Sequence, residues 1–170
     1  MSMHPRVVIA GTGSGSGKTT VTMGLLAAIG ATGDAALPFK AGADMIDPGY
    51  HTAAAGRPCR NLDTMLLSRD RLLELFSRSA PGNGLSVIEG VMGLFDGAGA
   101  REERGSTAHL AKLLASPVIL TVNGKAMGRS AAALVAGFAR FDPETEIRGV
   151  IFNNLGSERH YLLLKEAVEG

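Results

Sequence analysis

Apolar runs of four or five residues alternate with longer stretches of helical periodicity along nearly the whole chain. The short runs fall at 6–10, 37–40, 85–89, 118–122 and 150–153, and they are almost continuous in apolar character. That pattern predicts strands covered on both faces, because a strand with one wet face alternates apolar and polar residues instead. Between them, 17–29, 68–78, 107–114, 129–141 and 157–168 carry the three-to-four residue spacing of helices. Strand–helix alternation of this kind predicts an α/β fold: a mainly parallel central sheet flanked by helices in three layers, joined by right-handed crossovers. Ligands of such sheets sit beyond the carboxyl ends of the strands. The residues expected there are 11–19, 40–50, 89–105, 123–129 and 153–159, where glycines and charges gather.

Composition narrows the picture without changing it. The 170 residues are 45% hydrophobic and 19% charged, which predicts one folded domain over 1–170. A net charge of +1 gives no broad field for nucleic acid or an anionic membrane, so neither is expected as a partner. The longest charge-free run, 19–33, is shorter than the ~20 apolar residues a membrane span needs. Residues 1–6 show no apolar leader, and the single cysteine, Cys59, excludes an internal disulfide. A cytoplasmic protein is expected.

The first strand runs into GTGSGSGKTT and then a helical pattern. Glycines such as Gly13, Gly15 and Gly17 let successive backbone N–H groups turn inward around phosphate oxygens. The helix start at Ser16–Thr20 adds its positive end. Lys18 is spaced to reach the β- and γ-phosphates, and the Thr19 hydroxyl to ligate Mg²⁺. Thr12 stands where the strict phosphate-loop pattern has glycine. ATP and Mg²⁺ are the expected ligands of what is therefore read as a P-loop NTPase fold.

Magnesium takes hard oxygens and keeps several waters, so one or two carboxylates near the phosphates suffice. Glu89 closes the third predicted strand, where a parallel sheet places a carboxylate beside the phosphate loop. Asp44 and Asp47 follow the second, three residues apart and able to face one side of a turn. Asp44 equally suits a helix cap, and Asp47 before Pro48 equally suits a turn start. Lys40 is either a second cation on a transferred phosphoryl group or a solvated strand end.

These stretches together resemble the synthetase domain of the cobyrinate a,c-diamide synthase family and, more distantly, dethiobiotin synthetase. The resemblance covers essentially the whole chain and rests on GTGSGSGKTT, FKAGADMIDPGYHTAAAGRP, RNLDTMLL, VIEGVMGLFDG, GSTAHLAKLL, RSAAALVAGFARFDP and NNLGSERH. That family's loop begins Gly-Thr, so Thr12 fits it. The resemblance implies ATP-dependent activation of the a and c side-chain carboxylates of a corrin, cobyrinate or hydrogenobyrinate, as acyl phosphates that ammonia converts to amides. It implies that Lys18 and Thr19 hold triphosphate and Mg²⁺, with Asp44 and Glu89 completing the metal site. Lys40 would stabilise the transferred phosphoryl, Asp47 would lie near the acceptor carboxylate, and Asn153 would read the adenine edge. His51, Arg57, Arg60 and Arg129 are then candidates to receive the carboxylates and amides of the macrocycle, or else scattered surface charge. The glycine-rich stretch 90–105, with Arg101 and Arg104, is a candidate lid.

The family's glutaminase domain has no counterpart in these 170 residues, and Cys59 does not match its nucleophile. Ammonia is therefore expected from a glutaminase on another chain or from solution, and uncovered apolar surface would favour a homodimer or a partner. Ala43, Met45 and Asn123 stand where the family usually has proline, an aromatic residue and aspartate. Three other readings share much of this pattern. One is an amidotransferase acting on nickel sirohydrochlorin. Another is a partitioning-type ATPase switch, although no lysine lies between Arg6 and Lys18. The last is a nucleotide-binding module without turnover.

Overall fold

A computed structural model describes residues 4–82 and 84–170. Strands β1 (Arg6–Gly11), β2 (Ala36–Ala41), β3 (Arg60–Leu62), β4 (Leu85–Glu89), β5 (Val118–Asn123) and β6 (Ile147–Asn153) form one sheet in the order β3-β2-β4-β1-β5-β6. Every pairing is parallel. Helices α1 (Lys18–Ala31), α2 (Asp47–Ala55), α3 (Arg69–Ser79), α4 (Thr107–Leu114), α5 (Ser130–Phe141) and α6 (Glu158–Glu169) supply the outer layers.

Alternate residues of each strand feed two cores. Val8, Ala10, Phe39, Ile88 and Leu120 meet Leu72, Phe76, Leu110 and Val135 from α3, α4 and α5. Ile9 and Val87 meet Val21, Leu25 and Leu26 of α1 on the other face. Burial of both faces explains the near-continuous apolar strands. Serines cap the helices whose starts the sequence marks: Ser68 accepts from Arg71 N–H, Ser106 from His109 N–H and Ser157 from His160 N–H.

Two elements escaped the sequence reading. Helix α2 occupies DPGYHTAAA, whose proline and glycine read as a turn, yet Pro48 lies in the first turn, where its missing N–H costs nothing. Strand β3 is three residues at the sheet edge, with only Leu62 buried, and so presents no apolar run. The expected lid over 90–105 is also corrected toward its two ends, which are tied down. Leu94 is buried, its N–H donates to Gly11 O at 2.8 Å, and Phe95 stacks on Phe138 at 5.7 Å. Arg104 donates to the carbonyls of Thr64 and Met65. Among the described residues no helix is long and apolar enough to cross a membrane. The reading of residues 1–6 falls partly on 1–3, outside the described residues.

Candidate active site

In the strand order, β1 has β4 on one side and β5 on the other, so the chain leaves it in the crevice where connections diverge. The segment from Gly11 to Thr19 fills that crevice. Gly15 and Gly17 take φ of 75° and 94°, values that side chains strain to adopt. A Cβ on Gly17 would also overlap the Asn153 amide, which donates to Ser16 O at 3.3 Å. Asn153, expected at the adenine edge, thus braces the loop through its Nδ2. Gly17 gives α1 no side-chain cap, which leaves the first N–H groups of the helix for an anion. The Ser16 hydroxyl is buried inside the loop without a partner among the described residues. A Cβ on Gly13 or Gly15 would meet nothing within 4 Å, so the mouth of the loop has room. An inward-turned loop with an unpaired donor and an uncapped helix suits a phosphate group. Thr20 is exposed on the first turn of α1.

Lys18 is buried, and its ammonium donates to Gly13 O at 3.1 Å and Met92 O at 2.7 Å. Burial lowers its pKa, with Glu89 opposing and Lys40 assisting. Met92 holds the left-handed backbone, φ 47°, that aims this carbonyl. Beside it, Thr19 Oγ1 donates to Glu89 Oε1 at 2.7 Å.

The register of the sheet builds the rest. Lys40 of β2 lies directly opposite Glu89 of β4, so the two side chains share a face. Lys40 Nζ is 3.3 Å from Glu89 Oε1, 2.9 Å from Asp47 Oδ2, 4.0 Å from Asp44 Oδ2 and 2.9 Å from Gly90 O. Lys40 is 3% exposed and Glu89 1%, so Lys40 is no solvated strand end. Buried charges persist only when paired and hydrogen-bonded, as these are. Burial pushes the Glu89 carboxyl up, but His51, Lys40 and Thr19 outweigh it and hold the group below the usual carboxylate range.

Asp44 closes the turn that leads into α2, whose N-cap position falls on Ile46: Oδ1 accepts from Ile46 N–H at 2.7 Å and Asp47 N–H at 3.0 Å. Its pKa is lowered, because those backbone bonds and Lys40 outweigh its desolvation. Oδ2 stays on the Lys40 side. Thr19, Asp44 and Glu89 thus offer hard oxygens of the kind magnesium takes. No three His, Cys, Asp or Glu side chains among the described residues form a metal cage. An ion here would complete its shell from phosphate and water, as Mg²⁺ commonly does.

Three of the candidate substrate contacts need correction. His51 is fully buried, its Nε2 against Glu89 Oε2, so it faces the acid and not an incoming ligand. Arg57 and Arg60 line a cleft with Leu37, Pro38 and Arg78 near the amino end of β2. The cause is α2, which carries the chain from the carboxyl rim back to the amino rim before β3 runs forward. Arg129 stays at the carboxyl end, exposed at the start of α5. Residues that the sequence reading missed include Asn61, whose amide ties Gly42 O at 2.9 Å to Asp44 O at 2.6 Å. Thr107 likewise clamps Val91 through both its N–H and C=O. A groove of about 550 Å³ between Lys112, Ser116 and Glu144 contains none of these groups, so room alone does not mark the site.

Residues 7–170 match the family described as the CobQ/CobB/MinD/ParA nucleotide binding domain. The chain belongs to that family. It is 53% identical, over 99% of its length and 35% of the relative, to hydrogenobyrinate a,c-diamide synthase of Streptomyces coelicolor. It is 48% identical, over 97% of its length and 36% of the relative, to cobyrinate a,c-diamide synthase of Dehalococcoides mccartyi. It therefore spans about a third of the length of these curated relatives. Among solved structures, the signal recognition particle receptor FtsY of Elizabethkingia anophelis superposes with a TM-score of 0.62 at 17% identity, covering 100% of this chain and 57% of that one. The hydrogenase maturation factor HypB of Archaeoglobus fulgidus gives 0.50 at 15%, covering 98% and 87%. At such identities the likeness concerns the fold alone.

Proposed function

We propose that residues 1–170 form an ATP-dependent synthetase unit that amidates the a and c carboxylates of a corrin through acyl phosphates. The observation that carries this reading is the buried Lys40–Glu89 pair, with half-buried Asp47 on the same lysine, against the phosphate loop of a chain about half identical to two a,c-diamide synthases. A second buried lysine with an acid on an adjacent helix suits transfer of a phosphoryl group beyond its mere binding.

The chemistry demands that arrangement. A carboxylate is a poor electrophile towards ammonia, and transfer of the γ-phosphoryl gives it a leaving group. The acceptor oxygen attacks phosphorus and ADP departs. Ammonia then adds to the acyl carbon and phosphate leaves, giving the amide. Lys18 holds the β- and γ-phosphates within the loop, and Lys40 meets the charge spread over the phosphoryl oxygens in flight. Asp47, at the start of α2 and bonded to Lys40, faces the acceptor side and orients that lysine. Thr19, Glu89 and Asp44 would hold Mg²⁺, which supplies further charge neutralisation on the phosphates when bound. Ammonia derives from glutamine at a glutaminase site outside these residues.

The test supplies ATP, Mg²⁺ and ammonium with cobyrinate or hydrogenobyrinate and looks for amide by mass. Amide that requires all four components is expected. ADP formed without an acceptor, and no amide, would end the synthetase reading.

A further inference from the structure

Helix α2 offers two side chains one turn apart to the site, Asp47 and His51, a spacing that puts both on one face. Asp47 bonds Lys40 at 2.9 Å. His51 has a less ordinary environment. It is fully buried, its Nε2 lies against Glu89 Oε2, and its Nδ1 has no partner among the described residues. A histidine kept in a buried position with one nitrogen unpaired by the described residues costs more than an apolar side chain of the same size. Packing alone would favour leucine there. An ionised carboxylate only accepts, so the imidazole donates from Nε2.

That donation splits the roles of the two Glu89 oxygens. Oε1 takes the Thr19 hydroxyl at 2.7 Å and the Lys40 ammonium at 3.3 Å, which is the side of the phosphate loop. Oε2 takes His51 alone among the hydrogen bonds and ion pairs of the described residues. Without it, a buried oxygen would lose its partner and the carboxylate would be free to turn about its last torsion, which is soft.

We propose that His51 is a positioning residue that holds Glu89 Oε2, keeps Oε1 turned to the magnesium–phosphate side, and thereby locks α2 and its Asp47 to the metal-side acid. This rests on the reading of Thr19 and Glu89 as magnesium-side groups. Partners of this kind around metal ligands typically govern about 10- to 100-fold in metal affinity.

The experiment measures ATP affinity by calorimetry with excess Mg²⁺ and again with EDTA. The unsubstituted 170-residue chain is compared with His51→Leu, His51→Ala and His51→Gln. Leucine keeps volume without the donor, and glutamine places an amide N–H near the position of Nε2. Magnesium is expected to tighten ATP binding to the unsubstituted chain. That advantage should shrink by about tenfold or more in the donor-less variants and stay within about threefold in His51→Gln. Affinity in EDTA should vary by no more than about twofold, and the magnesium advantage is read in whichever donor-less variant keeps it. An undiminished magnesium advantage without the donor, or an equal loss in His51→Gln, would overturn the positioning role. No magnesium advantage in the unsubstituted chain would instead overturn the metal reading on which it rests.

Discussion

Two lysines among the described residues each face three carboxylates, and only one of them lies at the proposed site. Lys40 faces Asp44, Asp47 and Glu89, while Lys112 of α4 faces Glu103, Asp142 and Glu144. Counted as charges the clusters are alike. They differ in what surrounds them. Lys40 is 3% exposed, lies near the carboxyl end of β2, and shares Glu89 with the Thr19 hydroxyl of the phosphate loop. Lys112 is 22% exposed, and Glu144 is largely solvated. It ties the segment before α4 to the turn after α5. Lysine–carboxylate contacts near water stabilise little, and their geometry aims at nothing beyond themselves. Charge clustering marks a site only when the fold spends burial on it and leaves room for a ligand alongside.

The contrast would break most visibly at Lys40. Lys40→Ala should lower amide formation by about 10²- to 10³-fold, with ATP affinity changed far less. A loss of ATP affinity equal to the loss of rate would return Lys40 to a mere structural charge. Asp47→Asn should follow, leaving nucleotide affinity within about threefold while cutting amidation by about 10²-fold. Calorimetry and product mass together separate those outcomes.

Lys112→Ala should leave both ATP binding and amidation unchanged and cost about 1 kcal/mol or less in urea unfolding. Its pH dependence has a definite sign. The hydrogen bond from Lys112 holds the Asp142 carboxyl below the usual range, against its own desolvation. A depressed acid contributes stability above its unfolded pKa and loses it as pH falls through the folded one. The Lys112 pKa is raised, its acidic partners outweighing burial, so that side contributes fully below the ordinary lysine value and is lost only as pH rises through the higher folded one. The stability gap between the two chains should therefore be open from about pH 5 to 9 and narrow progressively as pH falls below about 4. A gap that widened in acid would contradict the assignment.

The smallest effect bears on the buried cluster. Burial pushes the Cys59 thiol up to about 12, with Glu89 adding and Lys40 opposing. Alkylation at pH 8 should be slow in the native protein and fast in urea. Equal rates would show that the region around Lys40 is wetter than the burial of that cluster implies.

The sequence carried the phosphate loop and five of the six strands, because both depend on local rules: glycine spacing before Lys18, and apolar runs long enough for two-sided cover. It could not carry α2, where Pro48 and Gly49 hide a helix that only docking against α1 and β2 holds in place. That single omission sent Arg57 and Arg60 to the wrong rim. It also turned His51 towards the substrate, whereas its contact with Glu89 arises only when β4 and α2 meet. Lys40 and Glu89 could be named from their strand-end positions, but their contact is a matter of register between neighbouring strands. Asn61 was invisible for the same reason, since β3 is too short to announce itself.

Whether the loop grips a nucleotide at all is decided by titrating magnesium ATP into the folded chain and into Lys18→Ala. Saturable heat at one site in the unsubstituted chain, and none in the variant, is the predicted result. No heat in the unsubstituted chain, or equal heat in both, would contradict a phosphate site built on Lys18.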